Sequence, residues 1–256
     1  MIIRILVLMC CIVTSAVSQE FTTAIEDNSF FIEEAYNQEE NIIQHIVNGS
    51  AFHPGNVLET SFTEEWPMFS RTHQLSVTIP HFSSSDPSAQ GIGDIMVNYR
   101  YQAIDVRGFA ISPRISLIIP TGDNSKGFGN GTTGVQLNLP ISKRLINEFV
   151  LHGNAGCTYL PDAAVGSSHV LITEYFFGGS VIYLTNQNFN VMLELLYTNS
   201  GSQVGRTYEL IVNPGVRWAV NFGDLQIVPG IAFPFSFVSG TEMSGFFLYT
   251  SFEHYF

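Results

Sequence analysis

Seven charged side chains could act together on small polar molecules, because they lie on the polar side of strand-like segments. They are Asp94, Arg100, Arg114, Glu194, Glu209, Arg217 and Glu253. In most cases both neighbouring residues are apolar or aromatic, and in a strand such neighbours point to the opposite face. Carboxylate and guanidinium groups that face one another form charge-assisted hydrogen bonds, or they bind a solute of opposite charge. We therefore predict a polar lumen lined by these residues, in which Asp94 pairs with Arg100 or Arg114, and Glu209 with Arg217.

Patterns for covalent or metal chemistry are weak. A Ser–His relay needs both groups within hydrogen-bond reach and a third group that orients the base. His152 is the nearest candidate, but no serine stands two residues after it. The seven histidines show no paired spacing typical of metal ligands. The glycine-rich segment 127–131 lacks the lysine that completes a phosphate loop. The sequence thus predicts no catalytic residue, no metal site and no cofactor.

The composition is apolar but divided into short pieces. Hydrophobic residues make up 45% of the 256 and charged residues only 12%, yet no apolar stretch reaches the roughly 18 residues of a spanning helix. A soluble β-sandwich could share this composition. The formal net charge of −12 excludes a nucleic-acid partner held by phosphate neutralisation, which needs a basic surface.

Alternation of apolar and polar residues predicts twelve strands from residue 42 onward. Connections after the even-numbered strands are tight, whereas most of those after odd-numbered strands, such as 121–132, 161–167, 199–203 and 237–243, are longer and rich in Gly, Ser and Asn. Short periplasmic turns opposite longer extracellular loops are typical of outer-membrane barrels. We predict an all-β fold: a single transmembrane antiparallel up-and-down β-barrel of about 12 strands over residues 42–256. Its strands are expected near 42–51, 56–66, 72–80, 91–102, 108–120, 133–142, 147–159, 168–183, 187–198, 204–220, 224–236 and 244–256.

The two ends of the chain carry separate signals. Residues 1–18 read as a secretory signal peptide, with Arg4 before an apolar core and Ala16-Val-Ser18 as the cleavage site. Residues 19–41 form an acidic segment that is either a periplasmic extension or a plug, with Glu33 and Glu34 near Arg100, Arg114 or Arg217. The terminal Phe256 on an amphipathic strand resembles the signal by which outer-membrane barrels are assembled, which implies the barrel-assembly machinery as a partner.

The chain also resembles a family of outer-membrane transporters named for a supposed role in the meta-cleavage pathway of phenol degradation. The resemblance runs over nearly all of the chain that follows the predicted signal peptide, and it implies a barrel with a transport role. It lies in the order of short fragments: Phe30-Phe-Ile-Glu-Glu-Ala-Tyr-Asn-Gln-Glu39, Gln44-His-Ile46, Phe62-Thr-Glu-Glu-Trp-Pro67, His73-Gln-Leu-Ser76, Gly93-Asp94, Asn98-Tyr-Arg-Tyr-Gln102, Pro113-Arg-Ile-Ser-Leu-Ile-Ile-Pro-Thr-Gly-Asp123, Pro214-Gly-Val-Arg-Trp218, Ile227-Val-Pro-Gly-Ile-Ala-Phe-Pro234 and Ser251-Phe-Glu-His254.

Two functions remain open at this point. The main hypothesis is a channel in the outer membrane of a Gram-negative bacterium, for passive passage of small solutes, with hydrophobic or aromatic molecules among the candidates. Its partners would be outer-membrane lipid and the solute itself. The alternative is a structural or adhesive barrel with a closed lumen, whose extracellular loops bind a partner.

Overall fold

The structure is a computed structural model that describes residues 29–55, 57–84, 90–202 and 205–255. The predicted signal peptide, the first part of the acidic segment up to residue 28, and Phe256 lie outside the described residues. Among the residues covered, no helix has the length and apolar character needed to cross a membrane.

In the part of the chain that the structure describes, eighteen strands form one antiparallel sheet. Several short strands continue one another along the same line, so the wall consists of twelve longer strands, which we call wall strands. In order these are β1 (Ile42–His53); β2 (Val57–Met68); β3 (Ser70–Ser84); β4 (Gln90–Ile92), β5 (Ile95–Tyr101) and β6 (Ile104–Val106); β7 (Phe109–Ile111) and β8 (Arg114–Ile119); β9 (Gly134–Asn138) and β10 (Ile141–Ile146); β11 (Phe149–Val165); β12 (Ser168–Asn186); β13 (Phe189–Ser202); β14 (Gly205–Trp218) and β15 (Val220–Phe222); β16 (Leu225–Ala232) and β17 (Phe235–Val238); and β18 (Thr241–Tyr255).

Three of the breaks within wall strands fall at prolines. Pro113 lies between β7 and β8, Pro140 between β9 and β10, and Pro234 between β16 and β17. Proline has no N–H to donate, so it interrupts the ladder without ending the wall strand.

The sheet closes on itself between its first and last strands. β1 pairs with β18 from Ile42↔Tyr255 to His53↔Ser244. Each of the remaining wall strands pairs with the wall strands that precede and follow it in sequence. A closed sheet has no edge, and an edge could not be satisfied in lipid. The prediction of an up-and-down barrel of about twelve strands is confirmed.

The outer surface of the wall is apolar. On β13, Leu193 and Leu195 are 46% and 48% exposed, while Met192 and Glu194 between and beside them are buried. The same arrangement, with apolar side chains exposed on the outside and polar ones buried inside, recurs around the barrel. Tyr159, Tyr183 and Trp218 are exposed towards strand ends, as in the aromatic belts at membrane interfaces. A soluble sandwich would not expose such a surface, so this barrel spans a membrane.

One part of the loop prediction is wrong. The predicted outer connections 161–167, 199–203 and 237–243 are mostly strand: β11 runs to Val165, β13 to Ser202 and β17 to Val238. Backbone pairing continues there, for example Ala164↔His169 and Ser200↔Thr207, because small and polar residues pair as well as apolar ones once the strands stand clear of lipid. Gly166 and Gly240 turn the chain with positive φ angles of 60° and 94°.

A charge placed in the apolar band gives a direct test of membrane depth. We expect Leu195→Arg to lower the free energy of unfolding by about 2–4 kcal/mol, because a cation near the bilayer midplane loses its hydration. Leu171→Arg, towards the outer end of β12, is the matched control and should cost about 0–1 kcal/mol. Urea titration in lipid vesicles, followed by heat-modifiable gel migration, measures both. Equal losses at the two positions would contradict the depth assigned to Leu195.

Candidate solute passage inside the barrel

Residues 29–38, which we call the inner segment, lie within the barrel. Phe30, Ile32 and Ala35 are buried, and polar groups of this stretch bond to side chains from wall strands all around the circumference. The inner segment belongs to no strand or helix. Its peptide groups therefore need side-chain partners, since a buried N–H or C=O without one is costly.

Glu194 supplies partners for three consecutive peptide N–H groups. The backbone nitrogens of Phe30, Phe31 and Ile32 donate to its Oε1 over 2.8, 3.1 and 3.2 Å. Its Oε2 accepts from Asn213 Nδ2 at 2.7 Å. A carboxyl group offers two acceptor oxygens, so Glu194 can accept from a run of three peptide N–H groups and from an amide at the same time.

Arg100 does the converse for the peptide carbonyls. Its Nη2 donates to Tyr36 O at 2.7 Å, its Nη1 to Glu34 O at 3.1 Å, and its Nε to Asn37 Oδ1 at 2.9 Å. The same guanidinium forms a salt bridge with Glu34, Nη1 to Oε1, at 3.2 Å, and both side chains are buried. Five fixed N–H donors suit this crowded set of acceptors.

Uncharged wall residues add further contacts to the inner segment. Asn154 accepts from Glu33 N at 2.8 Å and donates to Glu33 O at 2.7 Å. Ser142 accepts from Ala35 N at 2.7 Å, Ser112 donates to Ala35 O at 2.5 Å, and Gln74 accepts from Gln38 N at 2.7 Å. The predicted set of lumen-lining residues contained only charged side chains and left these four out. Their place on the polar face of a strand was the available signal.

Arg114 and Glu33 form a second ion pair in a more open setting. Arg114 Nη2 lies 2.7 Å from Glu33 Oε1, and the Glu33 side chain is 35% exposed against 6% for Glu34. Arg114 also donates to Asn98, Gln136 and Ser116. The sequence suggested three arginines as neighbours of Glu33 and Glu34. Two of them are in contact: Arg100 with Glu34, and Arg114 with Glu33.

A cavity of about 290 Å³ lies beside the inner segment. One side is formed by Phe31, Ile32, Glu33 and Glu34, and the other by the inner faces of the first six wall strands and by Tyr249 of β18. Polar groups dominate that wall; they include Glu65, Gln74, Asn98, Arg100, Arg114 and Gln136. Glu65, which Gln74 Nε2 contacts at 2.8 Å, is a further inner-face charge that the sequence prediction did not include.

Asp94 has a different partner from the predicted one. Its Oδ2 accepts from Asn130 N at 2.7 Å and from Asn130 Nδ2 at 2.9 Å, and its Oδ1 from Gly122 N at 3.1 Å. The predicted pairing with Arg100 or Arg114 is wrong, because connection 120–133 folds inward onto this carboxylate. A Cβ atom at Gly129 would lie 2.5 Å from Asp94 Oδ1, so the close approach requires glycine.

The predicted pair of Glu209 and Arg217 is also wrong. Both lie on β14, eight residues apart, which is about 26 Å along a strand. Glu209 instead accepts from Ser236 Oγ at 2.6 Å, and the Arg217 guanidinium lies over the Tyr249 ring at 5.7 Å. Glu253 accepts from Gln44 Nε2, on the neighbouring strand β1, at 2.5 Å.

An apolar patch on the inner face lies towards the outer end of the barrel. Ile118, Leu160 and Ala163 are buried there, with Met96 and Ile172 packed against them. Phe128 of connection 120–133 stacks on Phe82, with ring centroids 5.5 Å apart and planes at 6°. The lumen is thus apolar near this mouth and polar around the inner segment.

Comparison with known sequences identifies the family. Residues 17–250 match the family described as "Putative MetA-pathway of phenol degradation". The chain belongs to this family. No curated protein sequence matches the chain.

Solved structures share the fold. The chain is similar to the COG4313 outer membrane channel from Pseudomonas putida F1, with a TM-score of 0.66, 13% identity, and coverage of 87% of this chain and 98% of that one. It is also similar to the NanC porin, with a TM-score of 0.60, 11% identity and coverage of 81% and 98%. For the KdgM porin the TM-score is 0.55, with 10% identity and coverage of 83% and 99%. These likenesses show the fold, a closed β-barrel, and the apolar outer band indicates that the barrel spans a membrane.

The two ion pairs should differ in energetic coupling. We expect a double-mutant cycle with Arg100→Met and Glu34→Gln to give a coupling energy towards the upper end of the roughly 0.5–3 kcal/mol range for contacting groups. The Arg114→Met and Glu33→Gln cycle should fall near the lower end, because water screens the more exposed pair. Urea unfolding of the four variants and both double variants measures the two values. A larger coupling for Arg114 and Glu33 would contradict the burial of Glu34.

Proposed function

We propose that the protein is a passive outer-membrane channel for small solutes, narrowed by the inner segment. The observation that carries the proposal is the cavity of about 290 Å³ between the inner segment and the inner faces of β18 and the first six wall strands. The inner segment is fixed to the wall by Glu194 and Arg100. Solutes would pass along the cavity, next to Arg114 and Glu33.

Size and lining point to small molecules with both apolar and polar parts. The cavity is near the lower limit of about 300 Å³ for typical ligand pockets. A solute entering from the outer mouth meets the patch of Ile118, Leu160 and Ala163 first and the polar cavity afterwards. The family description refers to phenol degradation, and a small aromatic molecule with a hydroxyl group suits this order of surfaces.

The adhesive alternative has less support. It requires outer loops that present a binding surface, but several connections predicted to be long are strand. The connection 120–133 turns inward, where Asn130 bonds to Asp94. Outer-membrane lipid, the barrel-assembly machinery during folding, and the solute are the partners we propose.

We propose no enzymatic role. A serine and a histidine do meet inside the barrel, where Ser142 Oγ lies 2.7 Å from His152 Nδ1. Both side chains are buried, and Ser142 is held by the inner segment through Ala35 N. A substrate could not reach this hydroxyl without displacing the inner segment, so the pair fits a structural contact.

Locking the inner segment tests whether its movement controls permeability. The hydroxyl oxygens of Ser29 and Ser180 are 2.8 Å apart, so cysteines at both positions can form a disulfide. In a Cys157→Ser background we expect conductance in planar bilayers to fall on oxidation and to recover on reduction, because the locked segment cannot widen the passage. The two single-cysteine variants, treated identically, are the controls. Conductance at baseline in the reduced protein, together with no solute flux into liposomes, would contradict the channel.

Charge at the cavity should set ion preference. Glu33→Gln leaves Arg114 without its carboxylate, and the added positive potential should raise the chloride-to-potassium permeability ratio by about twofold or more. Glu209→Gln is the matched control, since Glu209 bonds to Ser236 and does not line the cavity. Reversal potentials under a salt gradient measure both variants. An equal shift from Glu209→Gln would place the selective site elsewhere.

A further inference from the structure

Two histidines meet on the outer face where the barrel closes. His45 is the fourth residue of β1, and His254 lies next to the last residue of β18. These are the first and last wall strands, and they pair directly. The Nε2 atoms of the two rings are 3.2 Å apart, although the residues are 209 positions apart in sequence.

The other ring nitrogens already have partners that can only accept hydrogen bonds. His45 Nδ1 lies 3.3 Å from Glu64 Oε2, and His254 Nδ1 lies 2.9 Å from the backbone oxygen of Tyr255. An ionised carboxylate and a carbonyl do not donate, so each Nδ1 carries the hydrogen. In the neutral rings both Nε2 atoms are therefore acceptors, and these two acceptors lie 3.2 Å apart with no hydrogen between them.

A cation bound between the rings would accept both Nε2 lone pairs and so remove the repulsion between these two atoms. We propose that His45 and His254 bind a divalent transition-metal ion of the Zn²⁺, Cu²⁺ and Ni²⁺ class through their Nε2 atoms. Two imidazole nitrogens, each about 2.0–2.1 Å from a tetrahedral zinc ion, are about 3.3 Å apart, which agrees with the observed 3.2 Å. Imidazole nitrogen is a preferred ligand for this class of metal.

The surrounding residues orient the two ligands. Glu64 on His45 Nδ1 and the Tyr255 carbonyl on His254 Nδ1 are the outer-shell contacts that metal-bound histidines make in proteins. The Phe62 ring stacks on His45 at 6.1 Å with planes at 16°, which limits rotation of the imidazole. The protein supplies two nitrogens, and among the residues described no group of three or more His, Cys, Asp and Glu forms a complete protein-only site. Water fills the remaining positions.

The site joins the first wall strand to the last. Metal bound there adds a link across the seam of the barrel and should make closure harder to reverse, since a ligand that binds only the folded state stabilises it. The proposal does not depend on the channel function, because the histidines face outward, away from the lumen.

Copper titration of the full-length barrel tests the site. The parent carries Cys157→Ser and no added histidine tag, and Cu²⁺ alone is the probe. We expect one ion per barrel, with coupling to two nitrogens in the electron paramagnetic resonance spectrum and competition by Zn²⁺. His45→Gln and His254→Gln should each weaken binding by at least tenfold. Glu64→Gln should weaken it by about 10–100-fold, as for other outer-shell changes.

His73→Gln is the matched control. His73 is another partly buried histidine, whose Nδ1 lies 2.6 Å from Tyr99 Oη, and its replacement should leave copper binding unchanged. Heat-modifiable gel migration without metal verifies that each variant forms a closed barrel. With Zn²⁺ present, the temperature of unfolding should rise in the parent and in His73→Gln but not in His45→Gln.

Two results would overturn the proposal. One is copper binding of equal strength in the parent, His45→Gln and His254→Gln. The other is no bound copper in the parent.

Discussion

A peptide group that is removed from water needs a hydrogen-bond partner within the protein, because lipid supplies none. In the wall, closure of β1 on β18 satisfies the ladder without leaving an edge. The inner segment has no ladder, so side chains of the wall must replace it. The carboxylate of Glu194 accepts three consecutive N–H groups, and the guanidinium of Arg100 donates to two carbonyls and one amide oxygen.

Glu194 and Arg100 are of opposite charge type because peptide N–H groups need an acceptor, whereas peptide C=O groups need a donor. They stand on β13 and β5, on different parts of the wall, so they hold the inner segment across the lumen. Buried charges of this kind are expensive unless each is paired and fully bonded. Arg100 meets this condition through Glu34, and Glu194 meets it through the N–H groups and Asn213. The passage is what remains on the side of the first six wall strands, where the less buried Arg114 and Glu33 meet.

Sequence alone predicts the wall well and the pairing inside it poorly. Period-two alternation assigns Leu195 outward and Glu194 inward without any knowledge of the partner strands, and turn residues set the number of wall strands. The partner of Asp94 depends instead on the path of connection 120–133, which no periodicity encodes. Glu209 and Arg217 share a face, yet strand rise alone separates them by about 26 Å. Asn154 and Ser142 carry no charge and gave no signal beyond their face, although the inner segment rests on both.

Closure also creates contacts that no local pattern contains. His45 and His254 show no ligand spacing in sequence, but pairing of the first and last strands places Ile43 opposite His254 and His45 opposite both Phe252 and Glu64. A residue of β1 therefore has one neighbour from each end of the chain on the same face. Chemistry at this seam requires a closed barrel, whereas chemistry within a single hairpin does not. Any ligand that bridges the seam acts on the one pairing that forms only when the whole sheet has come together.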